Sequence, residues 1–223
     1  MVPKQRQFID VTQGQIAAAQ EMWHGLSDWQ HTDEALRLAR DRFDGNSDLD
    51  TVLLKAALLD KLYATNVTYH LDLIEAARKI TAVLATEGSG RQKVVKLAES
   101  LVEDKCLTSF ASKYIHFFCD SNMPIYDWYA AFALTRHWGY PQAQIDRWRE
   151  DYLGYCQSIA RLKRRSGVSA RACEMDHYLW LAGNWVWHQK HGEKAGINNE
   201  LETFFNDPVK GQLAATTFGG LWK

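Results

Sequence analysis

The sequence predicts an all-α protein built around one hydrophobic core. Two observations support this fold class. Apolar residues recur at helical spacing along most of the 223 residues, whereas strictly alternating runs of β-branched residues, the usual sign of strands, are missing. Hydrophobic residues make up 46% of the chain and charged residues 24%, an ordinary balance for a soluble domain that buries a sizeable core.

Turn residues divide the first half of the chain into five predicted helices. Asp44-Gly45-Asn46 ends the second helix, and Gly88-Ser89-Gly90 ends the fourth. Asp48 and the residues up to Asp50 can cap the third helix, which is expected to end near Asn66. The other four helices are predicted to cover about residues 12–23, 32–43, 68–85 and 93–103.

The second half is expected to contain four further helices. Asp127 is placed to cap the second of them, and Gly139 with Pro141 closes it. The third is long and ends in basic residues, which a helix C-terminus favours. The Gly- and Thr-rich tail over 211–223 receives no assignment. The four helices are predicted at about residues 109–118, 128–138, 142–165 and 169–188.

The whole chain, 1–223, is expected to form a single helical domain without linkers. The two glycine-containing breaks are candidate lobe boundaries. One lobe would contain residues 1–88 together with the C-terminal helices, and the other would contain residues 89–165.

Composition and missing motifs restrict the partners and activities. Lys plus Arg number 26 and Asp plus Glu 27, for a net charge of −1, so binding to nucleic acid would depend on a local basic patch. No stretch approaches the roughly 18 apolar residues that span a bilayer, so no membrane partner is expected. Four scattered cysteines after a polar start favour free thiols in a cytoplasmic protein. The missing P-loop, GxGxxG, HExxH and GxSxG motifs argue against the enzymes that they define.

The segment between residues 108 and 127 carries the most functional information. A helix over its first part places four polar residues on one narrow face, with aromatic and aliphatic side chains around the remainder: Ser109, Ser112, Lys113 and His116. Asp127 lies 14 residues after Lys113 and follows a proline turn that reverses the chain. We therefore expect the lysine and the aspartate to converge on one cleft.

A lysine and an aspartate in one cleft suit a specific chemistry. A lysine made nucleophilic by burial can attack a carbon that is losing a base, which forms a covalent imine. Partial burial would lower the lysine pKa from about 10.4. A nearby carboxylate can stabilise positive charge on a sugar ring or transfer a proton. A plainer interpretation also fits, in which Lys113 is a surface lysine and Asp127 only caps a helix.

SFASKYIHFF, residues 109–118, followed by MPIYD, residues 123–127, resembles the core of the helix-hairpin-helix DNA glycosylase superfamily. The likeness is greatest to a bacterial branch with the fold of 8-oxoguanine DNA glycosylase, and it covers roughly residues 50–135. The resemblance implies a two-lobed helical fold that binds duplex DNA with a flipped base. It implies that Lys113 is the Schiff-base nucleophile and Asp127 the essential carboxylate.

The sequence departs from the superfamily pattern at two places. The glycine-rich turn that precedes the lysine in the superfamily is replaced by CLTSFAS, residues 106–112, which contains no glycine. The interval between lysine and aspartate is also shorter than in well-known members. Two alternatives to a base-excision glycosylase/lyase therefore stay open. One is a non-catalytic module on the same fold that binds nucleic acid or protein, and the other is an unrelated helical interaction protein.

Further candidate residues complete the predicted DNA site. Substrate contacts are expected from a set of mainly aromatic residues that would surround a flipped base: Tyr63, Asn66, Tyr114, His116, Phe117 and Trp128. Contacts to the DNA backbone are expected from the densest basic cluster, unless it is only a solvated helix end: Arg161, Lys163, Arg164, Arg165 and Arg171.

His188 and His191 lie one helical turn apart and suit a shared metal ion. No cysteine or carboxylate completes a recognised ligand spacing around them, so neither a metal ion nor any other cofactor is expected.

Overall fold

The structure is a computed structural model, and it describes residues 8–103 and 105–222. Within that part of the chain, helices account for 75% of the residues, and there are twelve α-helices and no strand. The predicted all-α class is therefore confirmed. Among the described residues, none of the helices combines the length and the apolar character needed to cross a membrane.

Six helices precede residue 120, and side chains at their first turns explain several of their starting points. Asp48 accepts the amide proton of Thr51 at the start of the third helix, as predicted, and Asp72 does the same for Ile74 in the fourth. The six helices are α1 (Gln13–His24), α2 (Ser27–Arg42), α3 (Leu49–Tyr63), α4 (Leu73–Leu84), α5 (Gly90–Leu101) and α6 (Thr108–Phe118).

Six more helices follow. Asp127 caps the first of them, because its Oδ1 accepts the amide proton of Tyr129 at 2.9 Å. This confirms the cap predicted from the sequence. The six helices are α7 (Trp128–Trp138), α8 (Ala143–Glu150), α9 (Tyr152–Ser166), α10 (Ala172–His191), α11 (Asn199–Asn206) and α12 (Pro208–Phe218).

Several predicted boundaries were wrong, and three of the differences from the predicted elements have a clear physical reason. The single helix expected over 142–165 is two helices that break at Asp151, and the last-turn carbonyl of Arg149 accepts a hydrogen bond from the Thr108 hydroxyl. The helix expected from residue 68 begins at Leu73, because Asp60 holds the backbone amide of Val67 in a short 3-10 turn. The unassigned tail forms most of α12, which Asp207 caps.

The chain forms two compact units. The terminal unit contains the described residues of Met1–Gln30, Asp127–Trp148 and Gly154–Lys223. The central unit contains the described residues of His31–Tyr126 and Arg149–Leu153.

In the terminal unit, α10 is the central helix and packs against α1, α7, α11 and α12. Gly183 permits the close approach of α7, because a Cβ at this position would lie 1.9 Å from the Tyr129 carbonyl oxygen. His137 on α7 is completely buried. Its Nδ1 donates to the Ile9 carbonyl at 2.7 Å, and its Nε2 accepts from the Tyr178 hydroxyl at 3.1 Å. Burial lowers the pKa of His137 to about 4, so the ring is neutral at pH 7.

In the central unit, α3, α4, α5 and α6 pack in sequence, and α6 also contacts α3. Each helix contributes a completely buried aliphatic side chain to the shared core: Leu59, Ile80, Leu97 and Ile115. This four-helix core positions α6, the helix that carries Lys113.

Candidate functional site

Helix α6 is buried on nearly every side. Only Ser109 among its eleven residues is not fully buried, so the face predicted to be polar also lies inside the protein. The Lys113 side chain is on this face and is only 4% exposed. The interpretation of Lys113 as a surface lysine is therefore wrong. A buried ammonium group needs specific partners, because its transfer from water is costly.

Lys113 has two well-defined neighbours in the central unit. Its Nζ donates a hydrogen bond to the Ser109 hydroxyl, one turn earlier on α6, at 2.7 Å. The same atom lies 5.6 Å from the centre of the Tyr63 ring, within the range of a cation–π interaction. Sequence reasoning placed Ser109 on the same face as Lys113, and the structure confirms that the two side chains meet.

Tyr63, at the end of α3, is held in place by a buried acid that sequence reasoning missed. Its hydroxyl donates a 2.5 Å hydrogen bond to Asp33 Oδ1, and Asp33 is 5% exposed. Burial raises the pKa of the Asp33 carboxyl, while the hydrogen bond from Tyr63 and the nearby Arg37 act in the opposite direction. Its spacing in the sequence could have indicated its burial, since Asp33 lies three residues before the buried Leu36 and therefore on the same face of α2.

Two other predicted substrate residues lie near this group. The Phe117 ring centre is 5.4 Å from that of Tyr63. His116 is adjacent to Phe117, and its Nδ1 donates to the Met123 carbonyl at 2.7 Å. Burial lowers the pKa of His116, so its ring is neutral at pH 7. The structure thus gathers the side chains of Lys113, Tyr63 and Phe117 in one cluster, with His116 at its edge.

Tyr114 and Asn66 take part in other contacts. Tyr114 is completely buried, and its hydroxyl donates to Asn46 Oδ1 at 3.0 Å. Burial raises its pKa well above the usual value. Asn66 is exposed and has a left-handed backbone conformation, with φ of 57°, at the start of the 3-10 turn.

Asp127 and Trp128 belong to the terminal unit. Asp127 caps α7, as the sequence predicted. The Trp128 ring stacks on Phe132 with 5.3 Å between ring centres and meets the edge of Trp187 at 4.9 Å. Trp128 is therefore part of an aromatic cluster in that unit.

Most of the predicted basic cluster makes contacts within the terminal unit. The guanidinium of Arg161 lies 4.8 Å from the Trp138 ring, and that of Arg165 lies 3.8 Å from the Phe8 ring. The Lys163 ammonium donates to the Ala170 carbonyl. Arg171 forms a 2.8 Å ion pair with Glu174. Arg164 is exposed on α9.

A second buried lysine was missed from the sequence. Lys55 on α3 is 1% exposed, and its Nζ donates to the Gly45 carbonyl at 2.7 Å and to Asn46 Oδ1 at 3.4 Å. Burial lowers its pKa. Its position in the sequence could have indicated its burial, because Lys55 lies three residues after Val52 and four before Leu59, on the apolar face of α3.

One family model is similar to part of this chain. The model HI_0787_N, described as an N-terminal domain, matches residues 15–122. This is just under half of the 223 residues. The matched stretch includes Lys113, Tyr63 and Asp33, and it ends before Asp127. No curated protein and no solved structure matches the chain.

Proposed function

We propose that this protein removes a damaged base from DNA, with Lys113 as the nucleophile. The observation that carries the proposal is the setting of Lys113, a buried amine beside the Ser109 hydroxyl and the Tyr63 ring. The likeness of residues 109–127 to helix-hairpin-helix DNA glycosylases supports the same assignment. The proposal includes the glycosylase-like fold, duplex DNA as partner and a cytoplasmic location, where the four cysteines remain free thiols.

The proposed reaction begins with the neutral amine of Lys113. It attacks the sugar C1′, and the bond from C1′ to the base breaks with its electron pair leaving on the base. The base takes up a proton as the attacking nitrogen loses one. The C1′–O4′ bond then opens, O4′ receives the second proton of the amine, and an imine remains between Lys113 and C1′. Borohydride reduces this imine to a stable amine.

The neighbours of Lys113 have roles in this proposal that follow from their chemistry. The Ser109 hydroxyl orients the amine and can relay a proton from it to the departing base or to O4′. Tyr63 and Phe117 offer aromatic faces of the kind that stack on a flipped base. Asp33 acts through Tyr63, because it accepts the hydrogen bond of the phenol and so fixes the orientation of the ring.

Borohydride trapping tests the proposal. The protein is incubated with duplexes that each contain one oxidised base or an abasic site, and a covalent complex is expected on at least one of them. Lys113→Gln should abolish the complex. Lys96→Gln, at an exposed position on α5, is the matched control and should leave it unchanged. Far-UV circular dichroism and thermal unfolding establish that each variant folds. Absence of a covalent complex across the panel would overturn the proposal.

Asp127 has a role that the resemblance assigns, and a separate variant tests it. Asparagine caps helices about as well as aspartate, so Asp127→Asn keeps the cap of α7 and removes only the charge. We expect base release to fall by at least about tenfold while the thermal midpoint stays within a few degrees. Unchanged base release would show that Asp127 only caps α7.

A non-catalytic DNA-binding function is the second candidate. The missing glycine turn in residues 106–112 favours it over catalysis, because the sequence departs from the superfamily pattern directly beside the proposed nucleophile. Under this alternative, the protein binds duplex DNA with an affinity that falls as salt rises, and Lys113→Gln binds equally well. No covalent complex would form on any duplex.

A further inference from the structure

The terminal unit contains a pocket that the proposed DNA chemistry does not use. Its volume is about 380 Å³, within the range of small-molecule sites. Residues from α7 and α10 line it, together with the turn after α7 and Trp222 near the chain end. None of the lining residues that the structure describes has a role in the proposed reaction, so the pocket is a separate candidate site.

Two cationic side chains line the pocket. Arg136 and Lys190 line it, and none of the described residues that line it is acidic. Arg136 donates from Nε to the Leu221 carbonyl at 2.9 Å and from Nη2 to the Trp222 carbonyl at 3.4 Å, and these bonds fix both the guanidinium and the last turn of the described chain. The chain as a whole has a net charge of −1, so this local positive charge stands apart from the overall balance.

Aromatic rings form much of the remaining wall. Phe132 is held between the stacked Trp128 ring and the edge of Trp187, so its position is fixed before any ligand arrives. Tyr140 stacks on a neighbouring tryptophan, with 6.1 Å between ring centres. Trp222 is 44% exposed, which leaves part of its ring available for contact. Such rings bind planar aromatic groups by stacking.

We propose that this pocket binds a small aromatic anion, a planar ring that bears a phosphate or carboxylate, such as a nucleoside monophosphate. The ring would contact Tyr140 and Trp222, and the anionic group would pair with Arg136 and Lys190. The same chemistry occurs in a free nucleotide and at the phosphorylated end of a DNA strand. The pocket volume fits a single nucleotide unit, so we commit to the free small molecule.

Isothermal titration calorimetry at low salt tests the proposal with adenosine 5′-monophosphate as the probe. We expect saturable binding at one site, and weaker binding of adenosine or inorganic phosphate alone. Lys190→Gln should lower the affinity for the nucleotide about tenfold, because one charge-assisted contact is lost. Trp222→Leu should weaken both the nucleotide and adenosine. Lys194→Gln, an exposed neighbour outside the pocket, is the matched control.

Three results would overturn the proposal. The first is no saturable binding of the nucleotide to the folded wild type. The second is equal binding by wild type and by both Lys190→Gln and Trp222→Leu. The third is binding of a 5′-phosphorylated single strand without binding of the mononucleotide. None of them bears on borohydride trapping, which depends on Lys113, so failure here and failure of the proposed function are distinguishable.

Discussion

Lys55 on α3 and Lys113 on α6 are both buried in the central unit, but their ammonium groups have different neighbours. Lys55 donates to a backbone carbonyl and to an amide oxygen in the loop between α2 and α3. Lys113 donates to a serine hydroxyl on its own helix. Each ammonium group also lies over an aromatic ring, Lys55 at 5.4 Å from the centre of Phe118 and Lys113 at 5.6 Å from the centre of Tyr63, so the difference lies in the hydrogen-bond partners. Burial alone therefore does not identify a nucleophile, and the chemistry of the partners is needed to separate the two residues.

The partners of Lys55 explain a structural role. Asn46 accepts hydrogen bonds from Lys55 and Tyr114 and donates one to the Phe118 carbonyl at 3.1 Å. Lys55 thus ties the loop after α2 to α3, and Asn46 ties the same loop to the end of α6. The Ser109 hydroxyl that Lys113 contacts is instead a side-chain group that can take part in proton transfer.

The largest effect on stability is expected from Lys55→Met. The change keeps the apolar stem but leaves the Gly45 and Asn46 oxygens without their charged donor, so the free energy of unfolding should fall by about 3 kcal/mol. Urea denaturation measures the change, and borohydride trapping should persist. Lys96→Met is the control at an exposed site and should change stability by less than about 0.5 kcal/mol. If Lys55→Met loses trapping while folded, the contrast between the two lysines fails.

A smaller effect is expected from Tyr63→Phe, which keeps the ring that faces Lys113 and removes only the hydroxyl. The lost hydrogen bond to Asp33 should cost about 1–2 kcal/mol of stability. Because that hydrogen bond lowers the pKa of Asp33, the substitution should raise this pKa further. Titration of the Asp33 carboxyl carbon by NMR measures the shift. A lower pKa in Tyr63→Phe would contradict the proposed role of the hydrogen bond.

The smallest effect is the pH dependence that Lys55 confers. Burial lowers its pKa in the folded protein below the value of 10.5 expected for an exposed lysine. Between the two pKa values the unfolded chain binds more protons, so the free energy of unfolding rises with pH in that window. The stability difference between wild type and Lys55→Met should therefore grow from pH 8 to pH 10.5. A constant difference would show that burial does not perturb Lys55.

Local signals in the sequence explain which parts of the fold could be predicted. Caps and turn residues are encoded locally, so the aspartate caps at Asp48 and Asp127 were found. The break between α8 and α9 was missed, because the Arg149 carbonyl meets a hydroxyl 41 residues away. The start of α2 was placed too late, because Glu200 from α11 accepts the amide proton of Asp28. Such long-range partners leave no local trace.

The candidate site shows the same difference between features with local sequence signals and features that depend on distant residues. Helical periodicity placed Ser109 beside Lys113, and that contact is present. Periodicity also predicted a polar face, but it could not show that neighbouring helices cover this face. Asp33 and Lys55 were missed for a related reason, since a charged residue on an apolar face is recognised as buried only when its partners are known.

Mass spectrometry of the borohydride-trapped complex tests the nucleophile most directly. The protein is trapped on a duplex that it processes, the complex is digested, and the peptide that carries the sugar adduct is sequenced. We predict the adduct on the ε-amine of Lys113. An adduct on Lys55 or on any other amine, with Lys113 unmodified, would contradict the assignment of Lys113 as the reacting group.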